Sequence, residues 1–182
     1  YSRGAPVSDP GLIEGKLRKI LPEARDVTPS FITELMITGP GGVSGAILEG
    51  IDLETLSKVT EIPRRLREGR LPKGKGELAL GLTLAESIGA RLGDPVRLLL
   101  PVFGEGLESP GAEVSPRVLE ARVVGLFKMG MHEYDSRFVF STLSEAQGFL
   151  GQPGKITSFK IKLNPEADPL RAIAQFIVER KY

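Results

Sequence analysis

Residues 76–101, GELALGLTLAESIGARLGDPVRLLLP, constrain the fold more than any other stretch. Leu78, Ala79 and Leu80 read as a short strand. Thr83 and Glu86 stand at capping-box spacing, and Leu84, Ala85 and Ile88 fall on the inward face of a short helix. Gly89 suits the left-handed residue that ends such a helix. LGD then turns the chain, and PVRLLLP is a second strand whose Pro95 stands first, where it costs no central ladder bond. Strand and helix signals this close together are those of an α+β body. With 182 residues, the chain makes one domain or two small lobes, and an apolar fraction of 41% is enough to fill a core.

The two ends of the chain resemble each other. SDPGLIEGKLRKIL reads as a helix with Asp9 as its cap and Pro10 at its first position. Leu12, Ile13, Lys16, Leu17, Ile20 and Leu21 form its mostly apolar stripe, and Pro22 stops it. Two extended runs follow, RDVTPSFITELMIT and VSGAILEGID, joined as a hairpin by GPGG at 39–42. Near the other end, ITSFKIKLN alternates Phe159, Ile161 and Leu163 with Ser158, Lys160 and Lys162, the pattern of a half-buried strand. Asp168 and Pro169 then open a second helix, with Leu170, Ile173, Ala174, Ile177 and Val178 inward. The arrangement suggests two similar α/β units, although the internal repeat is weak.

Residues 51–76 read as a short helix followed by irregular chain. Lys58, Arg64, Arg65, Arg67, Arg70, Lys73 and Lys75 make it basic, which is ordinarily a solvated surface and otherwise a patch facing a partner. Residues 102–116, VFGEGLESPGAEVSP, interrupt the pattern with three glycines, two prolines and three glutamates, without Lys or Arg. A tight hairpin needs only about 2–5 connecting residues, so this longer connection is a protruding loop or an extended hairpin tip. RVLEARVVGLF (117–127) and RFVFS are strands, and Thr142 with Glu145 caps a helix that Gly151 ends.

Catalytic chemistry has little support. The single histidine, His132, sits beside Glu133, Tyr134 and Asp135 in KMGMHEYDSRFVFSTLSEAQ (128–147), but adjacent residues rarely face one another. No cysteine is present, so disulfides and thiolate metal sites are excluded, and one histidine cannot make a His-rich centre. GPGG lacks the Lys-Ser or Lys-Thr of a phosphate loop. Glu105 and Glu108 lack the acidic ladder of a cation site. No catalytic residue, metal or cofactor is therefore expected. Lys and Arg total 24 against 23 for Asp and Glu, and there is no Trp, so nothing points to nucleic acid. No apolar run reaches the ~18 residues of a membrane span. The chain starts at YSRG without an initiator Met and stops within a helical pattern at VERKY, and we expect a piece of a longer protein.

Several segments, in order, resemble one family: GAILEGID, PRRLREGRL, GELALGLTLAESIGARLGDPVRLLLP, EARVVGLFKMGMHEYDSRFVFSTLSEAQGFLG and ITSFKIKL. Over roughly residues 43–165 the chain resembles the periplasmic domain of the LolC/LolE permeases of the lipoprotein-releasing ABC transporter, within the MacB/FtsX-like permease superfamily. The element G-x-x-LA-x-x-x-G-x-x-x-GD-x-V, here Gly81 to Val96, is shared across that superfamily, whereas GMHEYDSRFVF points to the lipoprotein-releasing branch. The resemblance implies a two-lobed MacB-like core: a porter-like lobe from 1–50 and 155–182, and an inserted sabre-like lobe at 51–154. It implies flanking transmembrane helices and a place on the periplasmic face of the inner membrane. Lipoproteins would pass to a LolA-like periplasmic carrier, beside a second permease copy or paralogue and a cytoplasmic ATPase subunit that does the hydrolysis. In LolC-like members a hairpin called the hook grips the carrier. By position it corresponds here to 102–116, with Val102, Phe103, Glu105, Leu107, Glu108, Pro110, Glu113, Val114 and Pro116 as expected contacts. GMHEYDSRFVF would be a strand-turn-strand joint, its turn held by Tyr134 and Asp135. The alternatives are a MacB-like efflux domain, an FtsX-like signalling domain, or an enzyme built on His132.

Overall fold

The computed structural model describes residues 6–100 and 116–164. Helix α1 (Pro10–Ile20) leads into β1 (Ala24–Gly39), which turns back as β2 (Gly42–Ile51). Then come α2 (Leu53–Val59), a 3-10 turn (Ile62–Arg65) and β3 (Leu66–Gly69). Next are β4 (Glu77–Gly81), α3 (Leu82–Ser87) and β5 (Pro95–Leu100). β6 (Arg117–Phe127), α4 (His132–Arg137), β7 (Phe138–Thr142), α5 (Leu143–Phe149) and β8 (Ser158–Leu163) complete the described chain. Among the described residues no helix is long and apolar enough to cross a membrane.

The strands pair in the order β2-β7-β4-β6-β5-β1-β8, and β1 also pairs with β2, so six strands close a hydrogen-bonded circuit. The β1–β2 hairpin forms as its glycines foretell, with Gly39 opposite Gly42. β2 and β7 run parallel, as do β4 and β6, while the other joints of the circuit are antiparallel. β8 lies outside the circuit on β1, and β3 on β6.

Two cores lie on the two faces of β4 and β7. Leu78, Leu80 and Val139 join Ile37, Leu48, Leu84, Ile88, Val96, Leu98 and Val123 on one side. Ala79, Phe138 and Phe140 join Ile51, Leu56, Ile62 and Phe127 on the other. Strands buried on both faces need unbroken apolar runs, and LAL and FVF supply them. A smaller cluster seats α1: Leu17 and Leu21 meet Ala24, Val27 and the apolar face of β8.

Several local readings change. Asp9 does not cap α1: its backbone is left-handed, at φ 63° and ψ 63°, and its side chain makes no capping bond. Leu12 of the expected stripe is exposed. The Thr83–Glu86 box does not form, because α3 starts earlier, at Leu82 with Gly81 as N-cap, placing Thr83 inside the helix. Thr142 does cap α5, accepting from Glu145 N at 3.2 Å. The stretch after α2 is not wholly irregular, since β3 pairs there with β6. GMHEYDSRFVF turns through the helix α4 rather than a plain turn. The helix expected from Asp168 lies outside the described residues, and with it the test of the terminal repeat.

Candidate partner-binding face

The loop at 102–116 is the expected contact site, and β5 and β6 form its root. They pair antiparallel from Pro95–Arg122 to Leu100–Arg117, so the chain from 101 to 116 joins the two strands at the Leu100–Arg117 end. Val102, Phe103, Glu105, Leu107, Glu108, Pro110, Glu113 and Val114 lie outside the described residues, while Pro116 is exposed just before β6. The root is held from several sides. Val96 and Leu98 are buried in the main core. On the outer face the Arg97 guanidinium donates to Glu120 at 3.0 Å. Arg117 Nη1 donates to the Phe149 carbonyl at 3.2 Å, tying the second leg to the end of α5.

Register builds a feature here that no sequence window displays. Met36 stands opposite Leu99, and Leu99 opposite Val118. These residues form an apolar row on the outer face, with Met36 45% and Val118 50% exposed. On its other side Met36 faces Gly45, beside which there is open space. A shallow groove of about 310 Å³ lies next to the row, lined by Thr38, Gly39, Pro40, Pro95, Val96, Arg97 and Glu120.

The other candidate residues do not converge. His132 and Glu133 are exposed at the start of α4. Asp135 is buried and already engaged, its carboxylate accepting from Met129 N at 2.6 Å and Gly130 N at 3.0 Å. Among the described residues no group of three or more His, Cys, Asp or Glu could hold a metal. In the basic stretch, Arg64, Arg65, Arg67, Lys73 and Lys75 are exposed. Arg70 instead grips Glu77 with two bonds of 2.7 and 2.6 Å, and Glu77 also accepts from the Lys73 and Gly74 amides. The Arg70 bonds and then the amides pull the Glu77 carboxyl down to about 2.

No protein-family model matches the chain. The LolC transmembrane protein of the lipoprotein-releasing system from Neisseria meningitidis serogroup B is 30% identical over 149 residues, 80% of this chain. Over most of its length the chain is therefore similar to a LolC-type permease protein, as its sequence elements suggest. It spans about a third of that relative, 34% of its length. Two solved structures share the fold. The extracellular domain of the ABC-type transporter YknZ from Gram-positive bacteria gives a TM-score of 0.60 at 12% identity, covering 96% of this chain and 80% of that one. The periplasmic region of MacB from Actinobacillus actinomycetemcomitans gives 0.58 at 17%, covering 98% and 76%.

The two sequence elements that carry the resemblance are framework, and they meet. Gly81 opens α3 against the backbone of α4: a Cβ there would overlap Asp135 O and stand 2.7 Å from Asp135 C and 2.8 Å from Tyr134 O. Leu84 and Ala85 are buried beneath it. Gly89, at φ 64°, lies so close to the hairpin tip that a Cβ would come within 2.9 Å of Gly41 Cα. Asp94 accepts from Arg91 N at 2.9 Å. In the partner element, Asp135 holds Met129 and Gly130, and the Tyr134 ring stacks on Phe138 at 4.2 Å.

Proposed function

We propose that this chain is the extracytoplasmic domain of a permease that releases lipoproteins from the inner membrane and hands them to a LolA-like soluble carrier. It does so by binding and displacement on the periplasmic face, beside a second permease copy or paralogue, while a cytoplasmic ATPase subunit hydrolyses ATP. The observation that carries this reading is the β5–β6 hairpin, a rooted pair of strands joined at the Leu100–Arg117 end by the long acidic connection. The likeness to LolC supports the same reading. Residues Val102 to Pro116 act as the hook, and Glu105, Glu108 and Glu113 meet a basic rim on the carrier. That complementarity speeds encounter and weakens with salt. The porter-like lobe comprises 1–50 and 155–182, and the sabre-like lobe 51–154.

Pull-down of a LolA-like carrier, with the intact chain and with 104–114 deleted, tests this. Carrier should bind the intact chain and be lost on deletion, with binding falling as salt rises. Unchanged capture by the deletion variant would end the hook assignment. Capture of a periplasmic adaptor in place of the carrier would move the chain to the MacB-like efflux branch, whose fold it shares.

A further inference from the structure

A buried ion pair links two strands that are not hydrogen-bonded to each other. Glu49 on β2 is fully buried, and its Oε1 stands 2.7 Å from Nζ of Lys160 on β8, whose side chain is 22% exposed. Ser30 pairs with both Ile51 and Ser158, so β2 and β8 flank opposite edges of β1. Glu49 stands opposite Ile32 and Lys160 opposite Thr28, so the pair spans β1 with Ser30 midway. Ser30 Oγ and Ser158 Oγ share a 2.7 Å hydrogen bond. Above them α2 closes the site: Thr55 bonds the Thr28 hydroxyl and donates to Asp52 Oδ2 at 3.0 Å. Glu49 Oε2 has no hydrogen-bond partner among the described residues.

Such a pair is a poor source of stability. Removing two charges from water costs about as much as their attraction returns, and the better-attested use of buried polar groups is to specify register. Burial pushes the Glu49 carboxyl up even against Lys160. Register is what β8 lacks. Among the described strands it pairs with β1 alone, and its sequence Ser-Phe-Lys-Ile-Lys-Leu repeats every two residues. A slip of two residues keeps Phe159, Ile161 and Leu163 on the apolar face, so hydrophobic patterning alone does not oppose it. Slipping one way puts Ser158 opposite Thr28 and leaves the buried Glu49 without its cation. Slipping the other way brings Lys162 opposite Thr28 in place of Lys160, so Glu49 keeps a cation and only the broken hydroxyl pair opposes that slip.

We propose that Glu49 and Lys160 form a register lock that joins β8 to the β1–β2 hairpin as one mechanical unit. Displacement arriving along β8 then reaches the closed circuit instead of dissipating as strand slippage. This use of the lock rests on the transport reading above; the lock itself does not.

The chain has no cysteine, so engineered pairs report register cleanly. Val27 stands opposite Ile161 in the native register, and opposite Phe159 or Leu163 after a two-residue slip. With V27C/I161C, disulfide trapping should be efficient in the native background, and V27C/F159C and V27C/L163C should trap poorly. In Glu49→Gln or Lys160→Met backgrounds V27C/F159C, which reports the slip that parts Glu49 from any lysine, should trap at least ~10-fold faster. Amide exchange at 158–163 should rise by a similar factor while β4 and β7 stay protected. E49L/K160M, which packs without charge and should fold, should still slip. Native register held in E49L/K160M, or single variants that loosen all strands equally, would overturn the lock. Failure of the intact transporter to hand lipoprotein to carrier would instead sink the functional reading and leave these results standing.

Discussion

Replacing Gly81 with Ala tests the contact between the two framework elements. The added Cβ would stand 2.8 Å from Tyr134 O and nearer still to the Asp135 backbone, all of it main chain that no rotamer change can move aside. Ordinary contact is roughly 3.5 Å, so α4 must retreat by roughly 0.7 Å or more. Overpacking of this kind costs about 1–3 kcal/mol. The retreat also draws the Asp135 carboxylate from the Met129 and Gly130 amides, now at 2.6 and 3.0 Å. Losing one bond to a charged acceptor costs about 1.5–3 kcal/mol. Together we expect about 3 kcal/mol, a Tm lower by about 6–12 °C for a chain of this size. Urea unfolding followed by circular dichroism measures it. Because Gly81→Ala acts partly through Asp135, its effect should not add to that of Asp135→Ala, and the cycle should show at least ~1 kcal/mol of coupling. A Gly81→Ala protein within ~0.5 kcal/mol of wild type, or strict additivity, would refute the reasoning.

Glu77, held at about 2 by Arg70 and two amides, binds fewer protons folded than unfolded. Its contribution is therefore present at neutral pH and lost as pH falls from the ordinary carboxylate range toward 2. For a solvent-screened pair we expect about 1 kcal/mol, and urea midpoints from pH 7 to 2.5 should fall less steeply in Glu77→Gln. Lys160→Met strands a buried carboxylate and should cost about 3–5 kcal/mol, whereas E49L/K160M should be near neutral or stabilising by calorimetry. Gly89→Ala forces a side chain into the left-handed region against Gly41 and should cost about 2 kcal/mol by thermal unfolding. His132→Ala, at an exposed position, should stay within ~0.5 kcal/mol and leave carrier capture intact.

Much of the local structure was legible because its causes are local. Gly39 to Gly42 announce a hairpin, and the LAL and FVF runs announce strands. Asp135 bonds nearby amides, as an Asp in a turn commonly does. The Thr83 box failed where the backbone of α4 lies against Gly81 and α3 starts one residue before Thr83. β3 was missed because Arg67 and Glu68 carry no apolar alternation. The Met36–Leu99–Val118 row stayed hidden because it is assembled across three strands, and no window of sequence contains it.

Glu49 marks the boundary most sharply. In VSGAILEGID it is an ordinary polar residue on a strand, and Lys160 an ordinary lysine on another. The chain alone determined most of its strands, turns and helices, since backbone preference and side-chain alternation act over a few residues. It also carries the resemblance to LolC-type permeases. The packing of β8 and α2 beside β1 and β2 decided which charges lose their water, because desolvation depends on neighbours drawn in from more than a hundred residues away.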